Sequence, residues 1–466
     1  MAATYLYRNQ GTPTGDGKKA TISMWIKPSY INFSSGTDGL FEIRDPSITA
    51  SFDLAIDNGK IWFAVLQGSW IGSLIPNFEP HDWNAWMHIV CVYDSAQSTD
   101  NQRMIMYING KDVRTDYGGY STETYVPQDQ VSTALAASSS YTQKWARYAD
   151  TSTYYFDGYM AQCIFVDGEA YQASTFGSTD ATTGEWKPKS DGEIRSAVTF
   201  GDQGSLLNFS NGSNLGYDYQ TSGRSTTNDF TVSGTMTQTK DSPDNNFCTM
   251  NPLYNFRQAA TFSNGNNTVV TANNTPTLAT MGLQAGKWYW EAQAVTSSSG
   301  GSDYIVGLVS MFQTVSNTEL GNYNKDWGYV AAGSYRNDNT NTAYGDSYTT
   351  GDYIGIAFDL DNMKLYFSKN GVWQNSGDPA AGTNGISMTE DTSSNPVPWM
   401  QAYFPAVCGD SNGQNYTWST NFGNGYFGTT SAGASNADDA GIGIFKYDVP
   451  AGFYAICTNN LQSYGG

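Results

Sequence analysis

Asn-Gly pairs recur in this chain between short alternating runs: DNGK at Asp57–Lys60, INGK at Ile108–Lys111 and SKNG at Ser368–Gly371. Both residues of such a pair accept the positive φ that a two-residue type I′ turn requires, so each pair predicts a hairpin with its register set. The flanking runs are four to nine residues long and end at Gly, Asn, Asp or Pro. They include LFEIRD, KIWFAVLQ, WMHIVCVYD and RMIMYING early in the chain, and KWYWEAQAV, DYIVGLVS, DYIGIAFDLDN and KLYFSKNG late in it. No segment longer than about ten residues carries the 3.6-residue period of an amphipathic helix.

Composition agrees. Only 14% of the 466 residues are charged, while Gly contributes 49, Tyr 32, Phe 22 and Trp 13. Helix surfaces are built from Lys, Glu, Arg, Ala and Leu; strands and tight turns favour the residues this chain has instead. The expectation is an all-β protein of two antiparallel β-sandwiches. Residues 1–200 form the first, 201–253 an ordered connecting segment and 254–466 the second. The polar interruption at 115–150 predicts a long loop or a short helix around Val131–Ala137. Residues 169–250 lose the rhythm but are too aromatic for a free linker, so they are expected to pack on a domain, with strands at SAVTFGD (Ser196–Asp202) and DFTVSG (Asp229–Gly234). Within DSPDNNFCTMNPL (Asp241–Leu253), Pro243 and Pro252 deny helix, and Phe247, Cys248, Met250 and Leu253 are expected to pin the segment as an apolar staple.

The formal net charge of −20 disfavours nucleic acid, which needs basic stripes. Acidic loops leave room for structural calcium, but no EF-hand loop is present and no such site is placed. Five widely spaced cysteines without a CxxC argue against a disulfide scaffold. The opening MAATYLYRNQ lacks a charged region followed by an apolar one, so no signal peptide is expected. No apolar run approaches the ~20 residues of a membrane-spanning helix.

Motifs for catalysis are missing. GDGKK (Gly15–Lys19) lacks P-loop spacing, and no GxSxG elbow occurs. The two histidines, His81 and His88, have no matched ligand cluster for zinc; His88, inside WMHIVCVYD, is expected in the core. Asp359 and Asp361 in FDLDN sit at a strand end, where Asp shapes turns. Binding is the remaining class. Aromatic side chains offer an apolar body with a polar tip, which suits sugar faces and protein partners alike. Tyr120, Tyr323, Tyr335, Tyr344 and Trp70, in polar loop-like surroundings, are the expected ligand- or partner-contacting residues. Trp83, Trp327 and Trp373 are expected in core or turn packing.

Several stretches resemble known families. ATISMWIKPS, WNAWMHIVCVYD, MYINGKDV and YYFDGYMAQCIFVDGEAYQASTFG together resemble the laminin-G-like or concanavalin-like lectin/glucanase sandwich. GKWYWEAQ (Gly286–Gln293), IVGLVS and especially GDYIGIAFDLDNMKLYFSKNG (Gly351–Gly371) resemble a SPRY domain. The joint, with LLNFSNGSNLG and DSPDNNFCTMNPL, resembles structural proteins of tailed phages of aquatic bacteria. That likeness implies a virion-surface protein assembled in the host cytoplasm. Its expected partners are capsid or tail proteins, copies of itself as a dimer or trimer, and host-surface polysaccharide. A head-decorating (cement or spike) protein is favoured over a fibre, because no coiled-coil heptads occur; a tail or fibre adhesin is the alternative. Glucanases of the lectin-like fold carry a Glu-x-Asp-x-Glu run. The nearest stretch here, FEIRD with Glu42 and Asp45, has the wrong period, so no enzyme and no cofactor are expected.

Overall fold

The structure, a computed structural model, describes residues 4–29, 36–80, 84–137, 140–149, 153–220, 228–254, 260–271, 275–297, 304–310, 318–388, 402–409 and 415–465. It is almost entirely antiparallel β, and it divides into two compact units, residues 1–238 and 239–466. The segment expected to connect two modules is thus shared between them. Ser205–Leu207 and Thr231–Ser233 complete sheets of the first unit, while residues 241–253 fold with the second.

In the first unit an eight-stranded sheet runs, in spatial order, Tyr120–Thr124, Ser69–Pro76, Lys60–Gln67, Ala50–Asp57, Thr37–Arg44, Thr142–Trp145, Tyr5–Asn9 and Thr231–Ser233. A six-stranded sheet runs Ser205–Leu207, Gly158–Asp167, Lys19–Pro28, Met87–Asp94, Met104–Ile108 and Lys111–Asp112. One core lies between them, where Phe41, Ile43, Phe52, Leu54 and Phe63 of the larger sheet meet Ile22, Met24, Ile89 and Cys91 of the smaller. The turns follow the sequence: Asn58 and Gly59 sit at φ 49° and 78°, Asn109 and Gly110 at 47° and 77°.

Continuous apolar runs such as HIVCVYD arise because the six-stranded sheet is buried on both faces. Val90, Val92, Ile105, Ile164 and Val166 point away from the main core, against Ala173, Phe176, Ile194, Val198 and Phe200. The arrhythmic stretch after residue 169 therefore packs on the sheet. The strand expected at Ser196–Asp202 is absent. Ser190 and Glu193 form a capping box that starts a helix at Asp191–Ala197, which takes up the first two residues of that stretch. DFTVSG does contain a strand, Thr231–Ser233, and the 115–150 interruption holds a one-turn helix, Thr133–Ala136.

The second unit pairs two further sheets. One follows the order Thr261–Ser263, Thr268–Thr271, Tyr416–Asn421, Lys287–Ser297, Tyr353–Asp359, Lys364–Lys369 and Val372–Trp373. The other follows Thr277–Leu278, Tyr403–Gly409, Tyr304–Ser310, Asp326–Val330, Ser334–Asn337 and Thr340–Ala343. Trp288, Trp290, Trp327 and Trp418 fill the core between them. Asp241–Leu253 is built into this unit: Cys248 N–H donates to Ile456 O, Met250 N–H to Asn266 O and Asn251 N–H to Leu278 O. Phe247, Cys248 and Met250 are buried as expected, but Leu253 is exposed; its N–H donates to Asn251 Oδ1 in a local turn. Near the end of the chain a two-residue strand, Tyr454–Ala455, is followed by the helix Thr458–Tyr464. All five cysteines are buried and free.

Candidate functional site

Each sheet has a face turned away from its core. On the six-stranded sheet of the first unit that face carries the apolar cluster just described. In the second unit, one such face is covered by Phe445, Phe453 and Ala455 packed on Tyr289 and Tyr366, and the other by Leu278, Ile305, Val309, Leu320, Ala406 and Cys408. Among the described residues, the outward face of the eight-stranded sheet carries no such apolar cluster.

Strand alternation decides what lies there. Pairing across the sheet aligns Tyr7 with Lys144, Lys144 with Glu42, Glu42 with Asp53, Asp53 with Ala64 and Ala64 with Ser73. The alternate residues Leu6, Trp145, Phe41, Phe52, Phe63 and Leu74 fill the core. The outward row is therefore ionic at its centre. Glu42 and Asp53 are both fully buried. Lys144 Nζ donates to Glu42 Oε2 (3.2 Å), Arg44 pairs with Glu42, and Arg44 Nη2 lies 3.6 Å from Asp53 Oδ1. The Ser51 hydroxyl donates to Asp53. Burial, and then the neighbouring Glu42 carboxylate, push Asp53 up to about 7 against the pull of Arg44.

Residues 146–149 and 153–156 form a hairpin over this cluster, with Tyr148 N–H donating to Tyr154 O and Phe156 N–H to Ala146 O. Ala149 N–H donates to Glu42 Oε1 (3.0 Å), and the Arg44 guanidinium stacks on the Tyr148 ring at 4.7 Å. Gly39 permits the close approach: a Cβ there would stand 2.0 Å from Arg147 C and Tyr148 N. The hairpin thereby completes a band of rings. Trp70 meets Trp62 at 4.8 Å, Trp62 meets Tyr148 at 5.8 Å, and Tyr148 meets Tyr154 at 5.9 Å. Tyr155, next in the chain, lies 6.0 Å from Tyr5, which lies 5.6 Å from Tyr7. Arg147 stacks over both Tyr5 and Tyr155.

The residues expected to contact a ligand fare differently. Trp70 is 43% exposed and belongs to this band. Tyr120 begins an edge strand but turns inward, packing on the core while its hydroxyl accepts from Met106 N–H (3.1 Å). Tyr344 is buried, its hydroxyl accepts from Phe367 N–H (3.2 Å), and burial pushes that hydroxyl up to about 12. Tyr335 meets Tyr344 edge-on at 5.9 Å and packs on the second core. Tyr323 is half-buried, and its carbonyl accepts from Asp326 N–H and Asp338 N–H, which closes a turn. Expected exposure at Tyr120 and Tyr344 is thus corrected: polar neighbours in sequence do not prevent a large ring from filling a core edge. Of the residues expected in packing, Trp327 is buried, Trp373 packs edge-on against Tyr289 and Tyr366, and Trp83 lies outside the described residues. The sequence reading missed Trp62, Tyr148, Tyr154, Tyr5 and Tyr7. The alternation in KIWFAVLQ, which sets Trp62 opposite Ile61 and Phe63, was the available signal.

Groups with acid–base chemistry are held inside. His88 is fully buried, with Nε2 2.9 Å from Ser23 Oγ and Nδ1 accepting from the Trp186 indole N–H at 2.9 Å. Because an indole only donates, the ring proton sits on Nε2, which donates to Ser23. His88 therefore offers Ser23 no base. Glu42 and Asp45 do not act together: Asp45 ends its strand by accepting from Thr49 and Ala50 N–H. Asp359 accepts from Asn362 N–H, as a turn-shaping residue does, whereas Asp361 accepts from Gly286 N–H, a contact between distant parts of the chain. Among the described residues, no group of three His, Cys, Asp or Glu is gathered in a way that could hold a metal, and no helix is long and apolar enough to cross a membrane.

These two sandwiches correspond to known domains. Residues 3–162 match the family described as the concanavalin A-like lectin/glucanases superfamily, and residues 287–424 match the SPRY domain. The chain therefore carries a concanavalin A-like lectin/glucanase domain followed by a SPRY domain. Among curated proteins it is similar to the dual specificity protein kinase splA of Dictyostelium discoideum, 41% identical over 54 residues, which are 11% of this chain. The chain spans 2% of that protein's length. Similar solved structures include the SPRY domain of human HERC1 (19% identity, TM-score 0.28, 37% of this chain and 96% of that one). Stonustoxin is another (18% identity, TM-score 0.27, 37% of this chain and 27% of that one).

Proposed function

We propose that the chain is a non-enzymatic structural protein on the surface of a phage particle, and that its first module meets the outside through the aromatic face of the eight-stranded sheet. The observation that carries the binding part is the band of rings from Trp70 to Tyr7, exposed at its two ends and half-buried or buried between them, lying over a closed ionic cluster. Rings with apolar bodies and polar tips suit recognition, whereas Glu42, Asp53 and His88 are fully buried and occupied by internal partners. The placement on a particle rests on the likeness of the joint to phage structural proteins. A head-decorating protein is the first reading and a tail or fibre adhesin the second, which the aromatic band favours.

Mass spectrometry and cryo-electron microscopy of purified virions test the placement. The chain is expected among the particle proteins, as a dimer or trimer by light scattering once released; its absence from virions overturns the reading.

A further inference from the structure

We propose that the chain forms a twofold dimer by pairing the edge strand Thr340–Ala343 of the second unit, antiparallel, with the same strand of a second copy. This deepens the reading above and rests on its expectation of self-association. The strand closes one end of the six-stranded sheet of that unit, and every residue in it is exposed. Asp338 and Asn339, at φ 49° and 56°, form the two-residue turn that joins it to Ser334–Asn337, with Asn337 opposite Thr340. In such a hairpin the residues flanking the turn exchange both backbone hydrogen bonds, and the next pair exchanges none. Thr342 therefore bonds inward to Tyr335, whereas Asn341 and Ala343 turn their N–H and C=O groups to the free edge. Among the described residues, no backbone hydrogen bond from another segment reaches either of them.

Other sheet ends are closed or guarded. At the opposite end of the same sheet, Asn251 N–H donates to Leu278 O and Met250 bridges Ala279, so the chain covers that edge itself. In the first unit, Tyr120–Thr124 carries Glu123 and a register shift, and Lys111–Asp112 is a pair of charged residues. Charges and irregularities of this kind keep edges from pairing. Residues 339–345, NTNTAYG, contain no charge and no proline. What fits there is a copy. Each chain is formally −20, so two copies repel except where their contact is free of charge. The strand is also complementary to itself. With the twofold axis at Thr342, Asn341 of each copy faces Ala343 of the other, and these pairs exchange the open backbone bonds. Thr342 then meets its own counterpart in the closer, non-bonded pair, which suits threonine. A self-matching contact of this kind closes at two copies.

The test is size exclusion with light scattering on the full chain over a range of concentrations. The parent is expected as a dimer. Proline is tolerated where an edge N–H faces outward, so Asn341→Pro should fold, as circular dichroism checks, and weaken dimerisation by about tenfold or more. Thr342→Cys reports the register. The closer pairs of an antiparallel ladder hold Cα atoms ~4.5 Å apart, within disulfide reach, and all the native cysteines are buried. Mild oxidation should link most of the Thr342→Cys variant into a reducible dimer and little of Thr340→Cys, whose two copies lie on opposite sides of the axis. A monomeric parent, a trimer, a dimer that folded Asn341→Pro leaves intact, or equal cross-linking at the two positions would each overturn the proposal. Should Asn341→Pro fail to fold, the two cysteine variants decide. Virion mass spectrometry is independent: a monomeric parent found in particles defeats this proposal and not the particle reading, and a dimer absent from particles does the reverse.

Discussion

The indole N–H of Trp186 donates to Nδ1 of His88 at 2.9 Å, and the other ring nitrogen of His88 lies 2.9 Å from Ser23 Oγ. Three residues far apart in sequence thus fix one tautomer inside the first module. Trp186→Phe keeps the ring packing but leaves Nδ1 unpaired. Unfolding in urea is expected to show a loss of about 1–3 kcal/mol, the cost of an unsatisfied buried polar group. Nitrogen NMR of the parent should show a neutral ring protonated at Nε2.

Burial lowers His88 to about 3 and raises Asp53 to about 7, so the two act oppositely on stability. An unfolded His takes its proton near 6.5, so the His88 contribution is complete above that pH and falls on acidification, by up to ~1.4 kcal/mol per pH unit. Asp53 binds its proton more tightly when folded; its contribution is complete below the unfolded value of about 3.9 and is lost as pH rises through 7. From pH 7 to 4 they offset each other. Asp53→Asn removes one limb, so its stability should fall more steeply toward acid than the parent's. Urea titrations at several pH values check this, and equal slopes would count against the assignment.

Gly39 allows the Tyr148 hairpin to lie against the sheet. With a Cβ 2.0 Å from backbone atoms of Arg147 and Tyr148, Gly39→Ala must displace that hairpin. The expected cost is about 1–3 kcal/mol, as for overpacking. Fluorescence of Trp62, which touches Tyr148, should change with it. An unaltered spectrum and stability would show that the hairpin is not held as described.

In the second module Glu291 is fully buried and accepts from Lys446 N–H (2.9 Å), Tyr447 N–H (2.9 Å), the Tyr289 hydroxyl (3.1 Å) and Asn421 Nδ2 (3.3 Å). Burial pushes it up to about 7. Glu291→Ala orphans two backbone amides, so hydrogen exchange at Lys446 and Tyr447 should quicken by tenfold or more, each orphaned group costing about 1–3 kcal/mol. Exchange at Ile356 and Phe367, in the core of the same unit, should change less.

Hairpin turns, strand periods and the lack of helical stretches were legible in the chain, because they depend on neighbours two to four residues apart. The turn at Asn58-Gly59 and the inward set Phe41, Ile43, Phe52 and Phe63 follow from such local rules. So does the core placement of His88. The band from Trp70 to Tyr7 was not legible beyond Trp70, because its rings come from Tyr5–Asn9, Lys60–Gln67, Ser69–Pro76 and a hairpin near residue 150, and only strand order sets them side by side. The same holds for Glu42 and Asp53, eleven positions apart and directly paired across two strands. Sequence by itself determined that this is a two-sandwich β protein; tertiary structure alone decided which aromatics are buried and which form a surface. Burial is a property of what packs above a residue, and for Tyr120 and Tyr344 that neighbour, at Met106 and Phe367, lies elsewhere in the chain.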